Sequence, residues 1–359
     1  MTEDTPGAPE ASQPKFGRQQ IIATVLTLIV LVLVFVVILP QFGDYSAAWD
    51  AIQDMEAYQL ALLAAATIAM ILIYVLPYPA ALPGLKYWPA FKVRQTSFMI
   101  SNVVPAGGAF GLAVQYGMLS SYGYAAAPTT AAIGITSVWN SLVTLSLPVL
   151  ALLGLTITGQ NTGDATVVTL IATAVVVGGV ILLALILRSE DLARRIGGWG
   201  DSLVQWAAKL IRRDLDLDVT SAVVDFRESI VDVVLDRWIL ITLANLAQQL
   251  AQFAILYFAV VALQGGFDGP ITLAEALAAF AFGRLATFIP IPPGGLGTTD
   301  ALITSILGSA GLDNDSALAA TMVWRAATYF PQVIIGAITL LLWRRDRTRN
   351  SEADSESGV

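Results

Sequence analysis

Four ionisable side chains stand within apolar stretches in the second half of this chain: Glu275, Arg284, Asp300 and Arg325. A charge inside a membrane costs about 2.5–3.5 kcal/mol on insertion scales, so each needs a partner or a ligand. Two glycine-proline breaks accompany them. One reads Val103-Val104-Pro105-Ala106-Gly107-Gly108-Ala109-Phe110-Gly111 and the other Ile289-Pro290-Ile291-Pro292-Pro293-Gly294-Gly295-Leu296-Gly297. A helix that restarts after such a break points its free N–H groups inward, where they attract anions. Pro105, Gly107 and Gly108 in the first break, and Gly294, Gly295 and Gly297 in the second, would let backbone approach a ligand closely. Arg325 would add a fixed positive charge able to grip a phosphate through two hydrogen bonds.

Structural readings compete at the same residues. Asp300 falls in the first turn of a restarting helix, where the helix dipole alone favours a carboxylate. An ion pair with Asp300 or Glu275 would account for Arg325. Glu275 and Arg284 lie nine residues apart, on opposite sides of one helix, so each must pair with another element.

The elements that position these residues belong to a membrane protein. The 359 residues are 56% hydrophobic and 13% charged, and apolar windows cover residues 21–39, 58–76, 125–155, 165–187, 238–263 and 326–343. Residues 95–163 contain no Asp, Glu, Lys or Arg. The window at 21–39 lacks a small-residue cleavage site and reads as a retained helix rather than a signal peptide. The expected class is all-α and polytopic, with about six full transmembrane helices plus two broken re-entrant segments.

Basic residues mark the cytoplasmic side. Lys15 and Arg18 precede the first window, Lys86, Lys92 and Arg94 follow the second, eight Lys and Arg residues occupy 188–237, and Arg344, Arg345, Arg347 and Arg349 close the chain. Residues 41–57 hold four acids and no base, and face outward. With both termini cytoplasmic, parity fits a first broken segment (96–121) that enters and leaves from the inside and a second (271–310) that does so from the outside, although three crossings in each region would keep the same parity. That is an inverted repeat of halves 18–156 and 165–345 within one transmembrane domain, 15–345, flanked by disordered tails at 1–14 and 346–359. The connector 189–236 carries Leu192, Ile196, Trp199, Leu203, Trp206, Leu210 and Ile211 at helical spacing, an amphipathic helix on the inner leaflet, followed by a second pattern at Val223, Phe226, Ile230 and Val234. Asn245, Gln249 and Gln252, with Gln248 alongside, form a polar stripe that glues helices or lines a path.

Composition also excludes classes. There is no cysteine and no histidine, which removes disulfides, thiol chemistry, the usual proton shuttle and the usual metal ligand. No phosphate-binding GxxxxGK[ST] motif occurs, so ATP does not drive the protein. No enzyme activity, cofactor, metal or nucleic-acid partner is expected.

Pro105-Ala106-Gly107-Gly108 with Tyr116 and Leu119, and Ile291-Pro292-Pro293-Gly294-Gly295-Leu296-Gly297 with Asp300 and the helix bearing Arg325, resemble the transmembrane region of the lysylphosphatidylglycerol synthase and flippase family over about residues 15–345. The resemblance implies movement of phospholipids or polyprenyl-linked lipids across the bacterial inner membrane, with membrane lipids of anionic headgroup as partners. Two departures stand out. Leu112 and Gln115 occupy a region where the family often carries charge, and Trp139-Asn140 stand where it often has a charged pair, so the first half lacks charges to grip a headgroup. The synthases' soluble aminoacyl-transferase domain is not expected here. Alternative readings are a secondary transporter of a small anionic solute and a non-transporting partner of a lipid-modifying enzyme.

Overall fold

The structure is a computed structural model that describes residues 45–103, 107–159, 165–211, 218–288 and 297–357. Among the described residues the ordered elements are helices, in chain order α1 (Tyr45–Gln53), α2 (Ala57–Ile73), α3 (Pro77–Ala81), α4 (Tyr87–Val103), α5 (Gly107–Ser121), α6 (Ala126–Ile157), α7 (Ala165–Arg188), α8 (Glu190–Ile211), α9 (Val219–Leu263), α10 (Leu273–Leu285), α11 (Thr298–Ser309) and α12 (Asn314–Ser357). Apolar surroundings impose this outcome, because a helix satisfies its own N–H and C=O groups. Among the described residues four stretches are long and apolar enough to cross a membrane: Ala57–Ala81, Ala126–Ile157, Ile230–Leu263 and Asn314–Arg347. They contain or cover four of the six expected windows, and α7 covers a fifth. The window at 21–39 and the tail at 1–14 lie outside the described residues.

Side chains set several helix starts. The Glu56 N–H donates to Gln59 Oε1 at 2.8 Å before α2. Asp218 Oδ1 accepts from the Ser221 N–H at 2.8 Å at the start of α9, and Asp313 Oδ1 accepts from the Ser316 N–H at 2.9 Å ahead of α12.

Helices α4 and α5 form an antiparallel hairpin. Gly107 lies against the carbonyls of Ile100 and Ser101, and Gly111 against Ser101. Further along, Gln115 Nε2 donates to Ser97 Oγ at 2.7 Å. A Cβ on Gly107 or Gly111 would strike these atoms, so glycine is what lets the limbs close. The limbs have 17 and 15 residues, about 25 and 22 Å, short of the roughly 30 Å hydrocarbon core. Helices α10 and α11 make the second hairpin from 13 and 12 residues, with Gly283 against Ile303.

The two hairpins enter from opposite ends of α12. Lys92, near the start of α4, meets Asp346 at 2.7 Å, and Ser121, at the end of α5, accepts from Trp343 Nε1 at 2.9 Å. Thr96 meets Thr339 at 2.9 Å, and the Phe98 ring meets Tyr329 at 5.5 Å, so α4 runs up α12 toward Arg325. At the other end Pro270 and Gly311, the feet of the second hairpin, pack side by side beside the start of α12. Thr304 bonds Thr321 at 3.0 Å and Asp300 meets Arg325 at 2.7 Å. Phe98 of α4 and Asp300 of α11 therefore meet α12 within about one turn of each other, at Tyr329 and Arg325.

Alanines 276, 278, 279 and 281 of α10 are buried, and small residues of this kind allow helices to approach closely. Two expectations change. The pattern at Val223–Val234 is not a separate connector helix: α9 runs unbroken for 45 residues from Val219, and α8 packs on its start, where the Thr220 hydroxyl donates to Asp201 Oδ2 at 2.6 Å. Residues 346–357 are not a disordered tail but the end of α12. The Lys92–Asp346 pair and the Trp343–Ser121 bond anchor that extension where it leaves the bundle.

A cationic cavity between the hairpin tips

Between the hairpins lies a cavity of about 450 Å³, walled by α4, α6, α12, the end of α10, Tyr74, Gln115 and Gln252. A second of about 230 Å³ continues toward Pro77 and Tyr78. Both are lined by Tyr74, Arg94, Gln115, Asn140 and Arg284, which form the neck between them.

Four helices present the same polar register. Arg94, Ser97, Phe98 and Ser101 on α4, Ser137, Asn140, Ser141 and Thr144 on α6, and Arg325, Thr328, Tyr329 and Gln332 on α12 each sit at i, i+3, i+4 and i+7 and line a cavity. On α9 the register is Asn245, Gln248, Gln249 and Gln252, of which all but Gln249 line a cavity. That spacing puts four side chains on one helical face. The α9 stripe both joins helices and lines the cavities. Gln249 is fully buried and donates to Asn140 Oδ1 at 3.0 Å and Thr144 Oγ1 at 2.9 Å. Asn140, which accepts there through Oδ1, lines both cavities.

Three arginines face this space, in three different environments. Arg325 is paired: its Nε and Nη2 both lie 2.7 Å from Asp300 Oδ1. The pair is secluded, with side-chain exposures of 15% and 4%. The other oxygen of Asp300 accepts from the Gly297 N–H at 2.7 Å, so one carboxylate both caps α11 and holds Arg325. Arg94 stacks on the Tyr74 ring at 4.2 Å and reaches Tyr78 at 5.8 Å, a cation–π arrangement. Arg284 stands near the end of α10, just before the hairpin tip. Among the described residues neither Arg94 nor Arg284 forms an ion pair, and the buried Nε of each lacks a hydrogen-bond acceptor.

The residues singled out in the sequence thus divide. Arg284 and Arg325 line the cavity, and Asp300 supports it through Arg325. Glu275 stands elsewhere: its Oε2 accepts from the Thr272 N–H and hydroxyl, both at 2.8 Å, closing the start of α10 at the far end of the hairpin. Gly297 gives its N–H to Asp300 rather than to a ligand. Gly107 serves helix contact, and nothing approaches Gly108; neither lines a cavity. Pro105, Gly294 and Gly295 lie outside the described residues.

Sequence reasoning placed Arg94 with the cytoplasmic loop residues and left the first half without a headgroup charge. The structure corrects both points, since α4 carries Arg94 into the cavity neck. Tyr74, Gln115, Asn140 and Tyr329 were missed as well. Gln115 accepts from the Tyr78 hydroxyl at 2.6 Å, while Trp139 Nε1 donates to Thr242 Oγ1 at 2.9 Å and ties α6 to α9. The repeated i, i+3, i+4, i+7 polar register was the available signal.

A family model described as lysylphosphatidylglycerol synthase TM region matches residues 20–336 of the chain. No curated protein matches it significantly.

Proposed function

We propose a lipid carrier on one premise: the chain belongs to the lysylphosphatidylglycerol synthase TM-region family, and is an integral membrane protein tied to lipid metabolism. An anionic headgroup enters the cationic cavity while its acyl chains stay in the bilayer. The observation that carries this reading is the convergence of Arg94 and Arg284, from opposite hairpins and without carboxylate partners among the described residues, beside the paired Arg325. An uncompensated arginine in a membrane interior is too costly to keep for packing alone. The family description names a lysyl-bearing lipid, whose amino groups would be repelled here, so the phosphate is the part that fits.

The acyl chains would pass at the seam between α5 and α6. Helix α5 packs along α4 and only lightly against α6. Among the described residues one side-chain bond joins α5 to α6, between Tyr116 and Thr130 at 2.7 Å. Leu112 on α5 is exposed beside this seam. Hairpins that enter from opposite ends and meet at one site suit alternating access, in which one repeat rocks against the other. Basic residues gather at the Pro77, Arg188 and Arg344 end, which would face the cytoplasm of a bacterium. A gradient, a partner or the lipid's own distribution would supply the drive; no catalytic step is needed. Secondary transport of a small anionic solute is favoured only by the polarity of the cavity and makes no use of the α5–α6 seam.

The test is headgroup flipping in proteoliposomes. Fluorescent phosphatidylglycerol and phosphatidylcholine are compared by dithionite quenching, for the native chain, Arg94→Gln and Arg284→Gln. Faster movement of the anionic lipid that both substitutions abolish is expected. Rates equal to protein-free vesicles, under imposed ion gradients of either sign, would overturn the carrier reading.

A further inference from the structure

The cavity's charge and donor inventory specify the headgroup more narrowly. Its ionisable walls are Arg94, Arg284, Arg325, Tyr74, Tyr78 and Tyr329, with Asp300 behind Arg325. Tyrosines are neutral near pH 7 and arginines are charged. Among the described residues, three positive charges and one negative leave an excess of two. The hairpin tips do not alter that sum, because residues 104–106 and 289–296 contain no ionisable side chain, and neither does the apolar window at 21–39. The polar atoms in the cavity walls that are buried without a hydrogen-bond partner are chiefly donors. Arg94 Nε, Arg284 Nε and Gln252 Nε2 stand against a single acceptor, Gln332 Oε1. The Asn140 Nδ2 donors lie in the same neck.

We infer that the neck between Arg94 and Arg284 binds a doubly charged terminal phosphate, a phosphomonoester or diphosphate, in preference to the singly charged phosphodiester of common phospholipids. The inference rests on the anion-carrier reading above and narrows it. A dianion cancels the excess of two, whereas a phosphodiester leaves one arginine uncompensated. A terminal phosphate also offers three oxygens, matching two guanidinium groups and an amide.

This assignment predicts a pH signature. The second ionisation of a phosphomonoester lies near pH 6. The chain has no histidine, the side chain whose ordinary titration falls between pH 5.5 and 8. A change in affinity across that window therefore comes from the ligand.

The experiment measures thermal stabilisation of the full chain in neutral detergent by dioctanoyl phosphatidate, dioctanoyl phosphatidylglycerol and inorganic phosphate, at pH 5.5 and 8.0. At pH 8.0 phosphatidate should bind about tenfold more tightly than phosphatidylglycerol, and the preference should fall below about threefold at pH 5.5. Arg94→Gln and Arg284→Gln should each erase the preference; Arg94→Lys and Arg284→Lys, which keep the charge, should retain part of it and guard against misfolding. Equal binding of both lipids, lost in the Gln variants, would overturn the dianion assignment while leaving the anion-carrier reading intact. Binding by neither lipid nor phosphate would overturn both. Binding by inorganic phosphate alone would keep the dianion and move its source from a lipid to a solute.

Discussion

Replacing Arg284 with glutamine should stabilise the protein while removing its anion site. A charged group at the centre of a membrane helix costs about 2.5–3.5 kcal/mol, and water in the adjoining cavity offsets part of that. Arg284 shares its cavity with Arg94 and Arg325 and pairs with no described carboxylate. Removing the charge should therefore return about 1–2 kcal/mol, a rise in Tm of roughly 1–3 °C for a chain of 359 residues. Arg325→Gln has the opposite sign. It strands Asp300, 4% exposed, with only the Gly297 N–H, and breaking a buried pair from one side costs about 3 kcal/mol or more. Both variants and the Asp300→Asn/Arg325→Gln double variant would be melted in phosphatidylcholine nanodiscs with tryptophan fluorescence as readout. The double variant should recover most of the loss, since it removes both members of the pair. If Arg284→Gln lowers Tm as much as Arg325→Gln does, Arg284 is a structural ion-pair member and the uncompensated-charge argument fails.

Other expectations follow from particular contacts. Gly107→Ala places a methyl against the carbonyl oxygens of Ile100 and Ser101 and should cost about 1–3 kcal/mol, whereas Gly108→Ala meets nothing within 4 Å and should be neutral or stabilising by up to about 1 kcal/mol; paired melts decide it. Gln249→Leu removes two bonds between α9 and α6 and should cost about 1 kcal/mol at roughly 0.6 each, read as a Tm loss of about 1–2 °C. Burial pushes the Asp313 carboxyl up, but hydrogen bonds from Ser316 outweigh it and hold the group below its ordinary 3.8. Its contribution to α12 is thus full above that value and disappears as pH falls through the depressed one. Asp313→Ala should cost about 1 kcal/mol at pH 7 and progressively less below pH 4, measured as the difference between the two melting profiles.

Much of the fold was legible because the bilayer reads composition directly. Apolar windows longer than about 18 residues can do little except cross, and α2, α6, α7, α9 and α12 fall where those windows lie. The breaks at Gly107 and Gly297 were legible for a similar reason: glycine and proline next to short apolar runs end helices wherever they are placed. What failed was the treatment of basic residues as topological markers alone. Lys92 and Arg94 are two residues apart; one pairs with Asp346 at the surface and the other stacks on Tyr74 inside. Loop-charge counting cannot separate them, because helical phase rather than position decides which way each points. Glu275 failed for the complementary reason. An acid in the first turn of a helix has a local use, and Thr272 supplied it.

The sequence by itself determined the helices, their apolar class and the presence of four costly charges, since those depend on local composition and on the energy of placing chains in lipid. It did not determine which charges meet. Arg94 and Arg325 are far apart along the chain, and they share a cavity only because glycines 107 and 111 let one hairpin close, Gly336 lets α4 lie against α12, and the second hairpin brings Arg284 in from the opposite end. An ion pair with Asp300 neutralises Arg325, while the other two arginines find no such partner among the described residues; that difference arises in the packing of helix on helix, which local residue pattern does not encode.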